Sequence, residues 1–196
     1  MWKKLHRNLI ECPKPEMDLL HRTFNHMDID SDGKISLSDL HAVCAKLNYT
    51  PAKGELETMI WEVDETLDST VGWDEFSLSY RRVRSDTTGL EPRALYSIID
   101  FLMHDGNMDG AVSVDEARQL MYMRHGNSMD EALVDALFQQ AAGSHVSLVE
   151  FLRYSASERD HICKTAGGGN LLTKMRAAQK EKIRVHKSSS SLGAVR

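Results

Sequence analysis

Apolar residues recur every three or four positions through most of this chain. Leu20, Phe24 and Met27 form one such set, and Leu40, Val43, Cys44 and Leu47 the next. Leu56, Met59, Ile60 and Val63 follow, then Phe76, Leu78 and Tyr80 leading into Arg81-Arg82-Val83-Arg84. The second half repeats the plan with Leu95, Ile98, Ile99 and Leu102, then Leu120, Met121 and Met123, then Leu133, Val134, Leu137 and Phe138. These sets match the 3.6-residue period of half-buried helices, so the pattern predicts an all-α fold. Thr50 before Pro51 predicts a helix start, since Pro suits the first helical position and Thr caps it. Ser128 is the expected cap of the Leu133–Phe138 helix. Trp2, Leu5 and Leu9 begin a short helical pattern that Cys12-Pro13-Lys14-Pro15 interrupts.

Between the helical sets lie polar stretches of constant length. Residues 105–116 place oxygen donors at loop positions 1, 3, 5, 9 and 12: Asp105, Asn107, Asp109, Ser113 and Glu116. Position 7, Ala111, offers its backbone carbonyl, Gly110 stands at position 6 and Val112 at position 8. A twelve-residue loop built this way wraps a hard cation in oxygen ligands. Position 6 needs φ > 0, which glycine adopts without a Cβ penalty. Residues 28–39 repeat the layout with Asp28, Asp30, Asp32, the Lys34 carbonyl, Ser36 and Asp39, with Gly33 at position 6 and Ile35 at position 8. Asp39 is one methylene shorter than Glu. Its reach requires the loop to contract, which weakens calcium and makes magnesium competitive.

Two more copies emerge at the same period. Residues 64–75 offer Asp64, Thr66, Asp68, the Thr70 carbonyl and Glu75, with Val71 at position 8. Ser69 replaces glycine at position 6, at a cost of about 1–2 kcal/mol in a left-handed conformation, and Gly72 stands at position 9. This loop is expected to bind weakly or stand empty. The fourth copy ends at Glu150 with Val146 at position 8, but Gln139, Ala141 and Gly143 occupy positions 1, 3 and 5. Its helix register is off, with Asp135 where Phe24, Ile60 and Phe101 stand in the other copies, so an altered loop and a structural role are expected.

These residues resemble the EF-hand superfamily, in the calmodulin, troponin C and centrin style of four hands in two lobes. The stretch Leu47-Asn48-Tyr49-Thr50-Pro51, followed by residues 55–64, is similar to the join between calmodulin's first two hands. The likeness covers residues 16–155. It implies two EF-hand pairs, each closed by a short two-stranded bridge with Ile35 opposite Val71 and Val112 opposite Val146, plus a basic C-terminal helix or tail. The corresponding boundaries are a lead at 1–15, a first pair at 16–84, a linker at 85–91, a second pair at 92–160 and an extension at 161–196. One well-formed loop per pair predicts weak calcium cooperativity within each.

Hydrophobic residues at 41% and charged ones at 27% fit a soluble globular protein. No apolar run approaches the roughly 20 residues that span a bilayer. The start, Met-Trp-Lys-Lys-Leu-His-Arg, has no signal-peptide core, and Trp2 stands where N-myristoylation requires glycine. Three widely spaced cysteines, Cys12, Cys44 and Cys163, read as free thiols in a reducing compartment. The nine histidines show no zinc spacing, and no phosphate-cradling loop or nucleophile elbow stands out, so no enzymatic activity is expected.

Charge changes the picture at the C-terminus. Residues 164–196 carry a net +7, leaving −12 for the rest of a chain whose total is −5. Beyond Gly167-Gly168-Gly169, Leu171, Met175, Ala178 and Val185 recur among Lys174, Arg176, Lys180, Lys182 and Arg184. That spacing reads as a basic amphipathic helix for an acidic surface or a groove, or as a solvated tail. Met59, Met103, Met121 and Met123 either line a groove that opens with calcium or fill a closed core. Two functions remain open: a calcium-binding regulatory subunit gripping a partner helix, and a structural adaptor indifferent to calcium. Residues 86–92 and 112–116 also resemble EF-hand proteins of ciliary and flagellar axonemes. That likeness implies a cytoplasmic or cytoskeletal, microtubule-associated setting with tubulin or axonemal partners, against a free cytosolic calmodulin-like sensor. No nucleic-acid partner is expected.

Overall fold

Pro15, whose missing N–H goes unused in a first helical turn, opens α1 (Lys14–Met27). Leu20, Phe24 and Met27 are buried along its inner face, each contributing about 1.5–3 kcal/mol. The computed structural model describes residues 9–125, 131–138 and 144–165. The order continues β1 (Lys34–Ile35), α2 (Leu37–Lys46), α3 (Glu55–Val63), β2 (Val71–Gly72) and α4 (Trp73–Ser85). It then repeats with α5 (Ala94–His104), β3 (Ala111–Ser113), α6 (Val114–His125), α7 (Glu131–Phe138), β4 (His145–Ser147) and α8 (Leu148–Thr165). The chain divides into two units, one of Met1–Asp86 with Glu91–Ser157, the other of Thr87–Leu90 with Glu158–Arg196. In the second, Gly89 adopts φ +72° and the Leu90 N–H donates to the Thr88 hydroxyl.

The first unit contains two antiparallel bridges of two strands each. Ile35 faces Val71 in one and Val112 faces Val146 in the other, the partners expected from position 8 of each loop. All four side chains are fully buried. Each bridge thus joins two helix–strand–helix segments at their strands and plants one β-branched residue per strand in the core. Around the first bridge, Phe24, Trp73 and Phe76 form an aromatic cluster, with His21 set edge-on to Trp73 at 4.7 Å.

Helix α1 does more than close its own pair: it packs on α5 and α6 as well as on α2 and α4. Glu16, fully buried, accepts hydrogen bonds from the Tyr80 hydroxyl at 2.6 Å and the Arg84 Nε at 3.0 Å. The Tyr80 ring stacks on Tyr96 of α5 at 5.4 Å. One buried carboxylate therefore ties α1 to α4, and through Tyr80 to the start of the second half.

The helix expected from Thr50-Pro51 begins four residues later. Pro51 and Ala52 lie outside any helix, Lys53 and Gly54 form a turn, and Gly54 takes φ +79° before α3 starts at Glu55. The Glu55 carboxylate fixes that turn by accepting the Ala52 N–H and the Tyr49 hydroxyl, both at 2.6 Å. A helix through Gly54 would forfeit these contacts and carry glycine's entropic cost of about 0.5–1 kcal/mol. Cys44 is core as expected, and burial, assisted by Glu55, pushes its thiol up to about 11. Residues 126–130, which include Ser128, and the basic residues Lys174, Arg176, Lys180, Lys182 and Arg184 lie outside the described residues. No described helix is long and apolar enough to cross a membrane.

Candidate metal loops

Three loops share one hydrogen-bonded frame, set by the first and last acidic residues of each. In the first, the two Asp28 oxygens accept the Asp32 and Gly33 amides at 3.1 and 2.9 Å. In the third, Asp105 accepts the Asp109 and Gly110 amides at 3.1 and 2.8 Å. The second does the same with Asp64, which accepts Leu67, Asp68 and Ser69 amides. Position 5 then stabilises the way into the strand: Asp32 accepts the Lys34 amide at 2.8 Å, Asp68 that of Thr70 at 3.0 Å and Asp109 that of Ala111 at 2.9 Å.

The last ligand position closes each ring from the far side. One Glu116 oxygen accepts the Gly106 and Asn107 amides at 3.1 and 3.2 Å, and the other accepts the Ser113 amide and hydroxyl at 3.0 and 2.8 Å. Glu75 closes the second loop onto Glu65, Thr66 and Gly72. Asp39, though shorter, accepts the Ile29 amide at 3.1 Å and the Ser36 amide at 2.8 Å. The Ser36 hydroxyl donates to Asp39 and accepts the Asp39 amide at 3.3 Å, and this last bond completes a capping box at the start of α2.

Backbone strain follows the same repeat. Gly33 and Gly110 take φ +85° and +86°, and Ser69 is held at +65° in their place, so the second loop keeps its curl despite lacking glycine. Position 4 is left-handed as well: Ser31, Leu67 and Met108 have φ between +59° and +61°. No glycine marks that position in the sequence, so residue spacing gives no sign of it.

Electrostatics separate the loops. Asp28, Asp30 and Asp32 bring carboxylate oxygens within 4.8 Å of one another. Desolvation, then Asp32 and Asp39, raises the Asp30 carboxyl above its ordinary value. Asp105 is fully buried, and that burial, together with Asp109 and Glu116, raises it also, against the Gly110 and Asp109 amides. Burial pushes Asp39 and Glu116 up too, but hydrogen bonds from Ser36 and Ser113 and from the loop amides outweigh it and leave both below their usual range. Closely set carboxylates, several of them buried, with side-chain hydroxyl, amide and carbonyl oxygens alongside, are the donor chemistry of a hard dication such as calcium. The residues fit that ion.

The second loop differs in one respect. The Lys34 ammonium of the facing loop lies 2.6 Å from the Asp68 carboxylate. Lys34 first of all, with Thr70, lowers Asp68 to about 2. In the fourth copy, Glu150 accepts the Ser147 amide and hydroxyl at 2.9 and 2.7 Å, while positions 1, 3 and 5 fall outside the described residues. Ser147 and Glu150 thus cap α8 in the way Ser36 and Asp39 cap α2. The Ser-x-x-Glu spacing there is a helix-start signal that the ligand pattern overlies. Asp135 is exposed while Val134 and Leu137 are buried, in line with the shifted register.

A pocket of about 360 Å³ abuts the third loop. Met103, Leu120 and Met123 supply apolar lining, Leu19 and Arg22 of α1 face them, and Glu116 forms part of the wall. Met59 and Met103 are buried in the core, and Met121 and Met123 pack against it half-buried.

Residues 17–81 match the family model described as an EF-hand domain pair. The chain is also similar to "Probable calcium-binding protein CML25" of Arabidopsis thaliana, 29% identical over 110 residues, covering 55% of this chain. That match takes in 56% of the relative, so the chain spans little more than half the length of the protein it resembles.

Proposed function

We propose that this chain, a calcium-binding member of the EF-hand superfamily by its domain pair at residues 17–81, is a regulatory subunit that grips a partner protein helix. The loops at 28–39 and 105–116 would hold calcium. Asp28, Asp30, Asp32, Ser36 and Asp39 with the Lys34 carbonyl hold it in the first. Asp105, Asn107, Asp109, Ser113 and Glu116 with the Ala111 carbonyl hold it in the third. Bound there, the ion would supply positive charge that offsets the clustered carboxylates of each loop. The second loop, with Asp64, Thr66, Asp68, Thr70 and Glu75, is a weak site, and the fourth serves structure. The role is one of binding rather than catalysis.

The observation that carries this reading is the hydrogen-bond frame common to both loops, which holds an acidic residue to the loop backbone at each end. The pocket beside the third loop supports the partner half. Glu116 belongs both to its wall and to the metal loop, so an ion that moves Glu116 reshapes the surface offered to a partner. A second reading, a constitutive adaptor indifferent to calcium, is favoured by the second loop, where Ser69 stands in place of glycine and the Lys34 ammonium already pairs with Asp68.

The finer reading places the subunit in a cytoskeletal, axonemal complex of a cilium or flagellum, on the likeness of residues 86–92 and 112–116, with the basic tail meeting acidic tubulin. The alternative, a free cytosolic calmodulin-like sensor, draws on the similarity to the Arabidopsis protein. Affinity capture of partners in calcium and in chelator, followed by mass spectrometry, separates these. Chelator-induced release supports the regulatory subunit; equal capture in both overturns it in favour of the adaptor. Recovery of tubulin or other axonemal proteins supports the axonemal setting, and their absence from the captured set overturns it.

A further inference from the structure

Lys34 occupies an unusual place between the first two loops. Its backbone carbonyl stands at position 7 of the first loop, where a metal ligand belongs. Its strand pairing, Lys34 opposite Gly72, throws its side chain over the second loop. There the ammonium donates to the Asp68 carboxylate at 2.6 Å, at position 5 of that loop. Asp68 first, then Asp32 of its own loop and Glu75 closing the second, raise the Lys34 ammonium above its ordinary value. The second pair offers a natural contrast: Ala111 holds the position equivalent to Lys34 and has no side chain to reach across.

From this geometry we infer that Lys34 is the resident cation of the second loop and the residue that decides how many divalent ions the first pair binds. The second loop has the same hydrogen-bonded curl as its neighbours, set by Asp64 and Glu75. Its fifth-position carboxylate is already neutralised by a cation covalently part of the facing loop. A divalent ion entering there must displace the ammonium from Asp68 and then bear its repulsion at close range. The first pair is therefore complete with a single metal, held by the first loop. One residue serves both sites, by its carbonyl in one and by its ammonium in the other. This inference rests on the reading of the first loop as a calcium site.

The test is calcium calorimetry on the full chain and on Lys34→Gln, Lys34→Arg and Lys34→Gln/Asp68→Asn. Both Lys34 and Asp68 are solvent-exposed, so the variants keep the core. Lys34→Gln is expected to raise calcium affinity at the second loop by about tenfold, from the lost pairing and the lost repulsion of an exposed site, giving an additional binding event. Lys34→Arg is expected to behave as wild type, and the double variant to lose the gain. A Lys34→Gln isotherm superimposed on a calcium-binding wild type overturns the inference and leaves the first-loop reading standing. Absence of calcium binding in both proteins overturns the two together.

Discussion

Asp39 Oδ1 accepts the Ile29 amide at 3.1 Å, the same second-position amide that Glu116 accepts from Gly106 at 3.1 Å. A side chain one methylene shorter makes the same closure, so two-oxygen contact with an ion there would require the first loop to contract. A tight ring favours magnesium, whose ligands sit at roughly 2.0–2.1 Å, over calcium at 2.3–2.6 Å. Asp39→Glu should raise calcium affinity of the first loop about tenfold, worth about 1.4 kcal/mol, and reduce magnesium competition. Calcium titrations with and without millimolar magnesium check this. Unchanged calcium affinity and unchanged competition would refute the size argument.

Gly33 isolates backbone strain from packing. At φ +85° an added Cβ meets nothing within 4 Å, so Gly33→Ala has only a conformational cost. Left-handed geometry makes that about 1–2 kcal/mol. Urea unfolding in chelator should show a loss of this size, and calcium affinity should fall in step. A loss near zero would mean that the loop reaches its curl by another route.

Glu16 anchors the junction of α1 and α4. Glu16→Ala leaves Arg84 without its buried carboxylate and should cost about 3–5 kcal/mol. Tyr80→Phe removes one hydrogen bond to a charged acceptor, worth about 1.5–3 kcal/mol. Chemical denaturation of both variants measures the pair, and the larger loss belongs to Glu16→Ala. Equal, small losses would show that the buried pair contributes little to the fold.

Acid should act on the third loop through Asp105. Burial raises its pKa first, with Asp109 and Glu116 adding to it, and a proton on Asp105 competes with a metal. Calcium affinity of this loop should therefore begin to fall, as pH drops, above the ordinary carboxylate range. For the metal-free fold the sign is opposite: the folded state holds the Asp105 proton more tightly than the unfolded chain, so this group adds stability as pH falls through its folded pKa. Asp39 and Glu116, whose pKa values are depressed, contribute stability above their unfolded values and lose it as pH falls through the folded ones. Calcium titrations of Asp39→Ala, which leaves the third loop to dominate, at stepped pH check the first statement. Affinity flat down to the ordinary Asp range would contradict it.

Much of this architecture is readable from spacing alone. Position 8 of each loop identifies Ile35, Val71, Val112 and Val146, and all four meet in the expected pairs, because a buried β-branched residue between polar neighbours leaves one register. The inward faces of α1, α2, α3 and α5 are legible for the same reason. Features that depend on tertiary contact or strain are not. Nothing in Ser31, Leu67 or Met108 announces a left-handed residue, since the surrounding hydrogen bonds impose it. The Glu55 side chain, together with Gly54, moves the start of α3. Packing of α1 on α5 and α6, and the reach of Lys34 to Asp68, join residues that no local pattern relates.

The loops at 28–39 and 105–116 are each expected to take up one calcium ion. Isothermal titration calorimetry of the full chain against Glu116→Gln tests it most directly. The unaltered chain should bind two ions and the variant one, with the first-loop event unchanged. Identical isotherms for the two proteins, or no heat of binding from the unaltered chain, would contradict it.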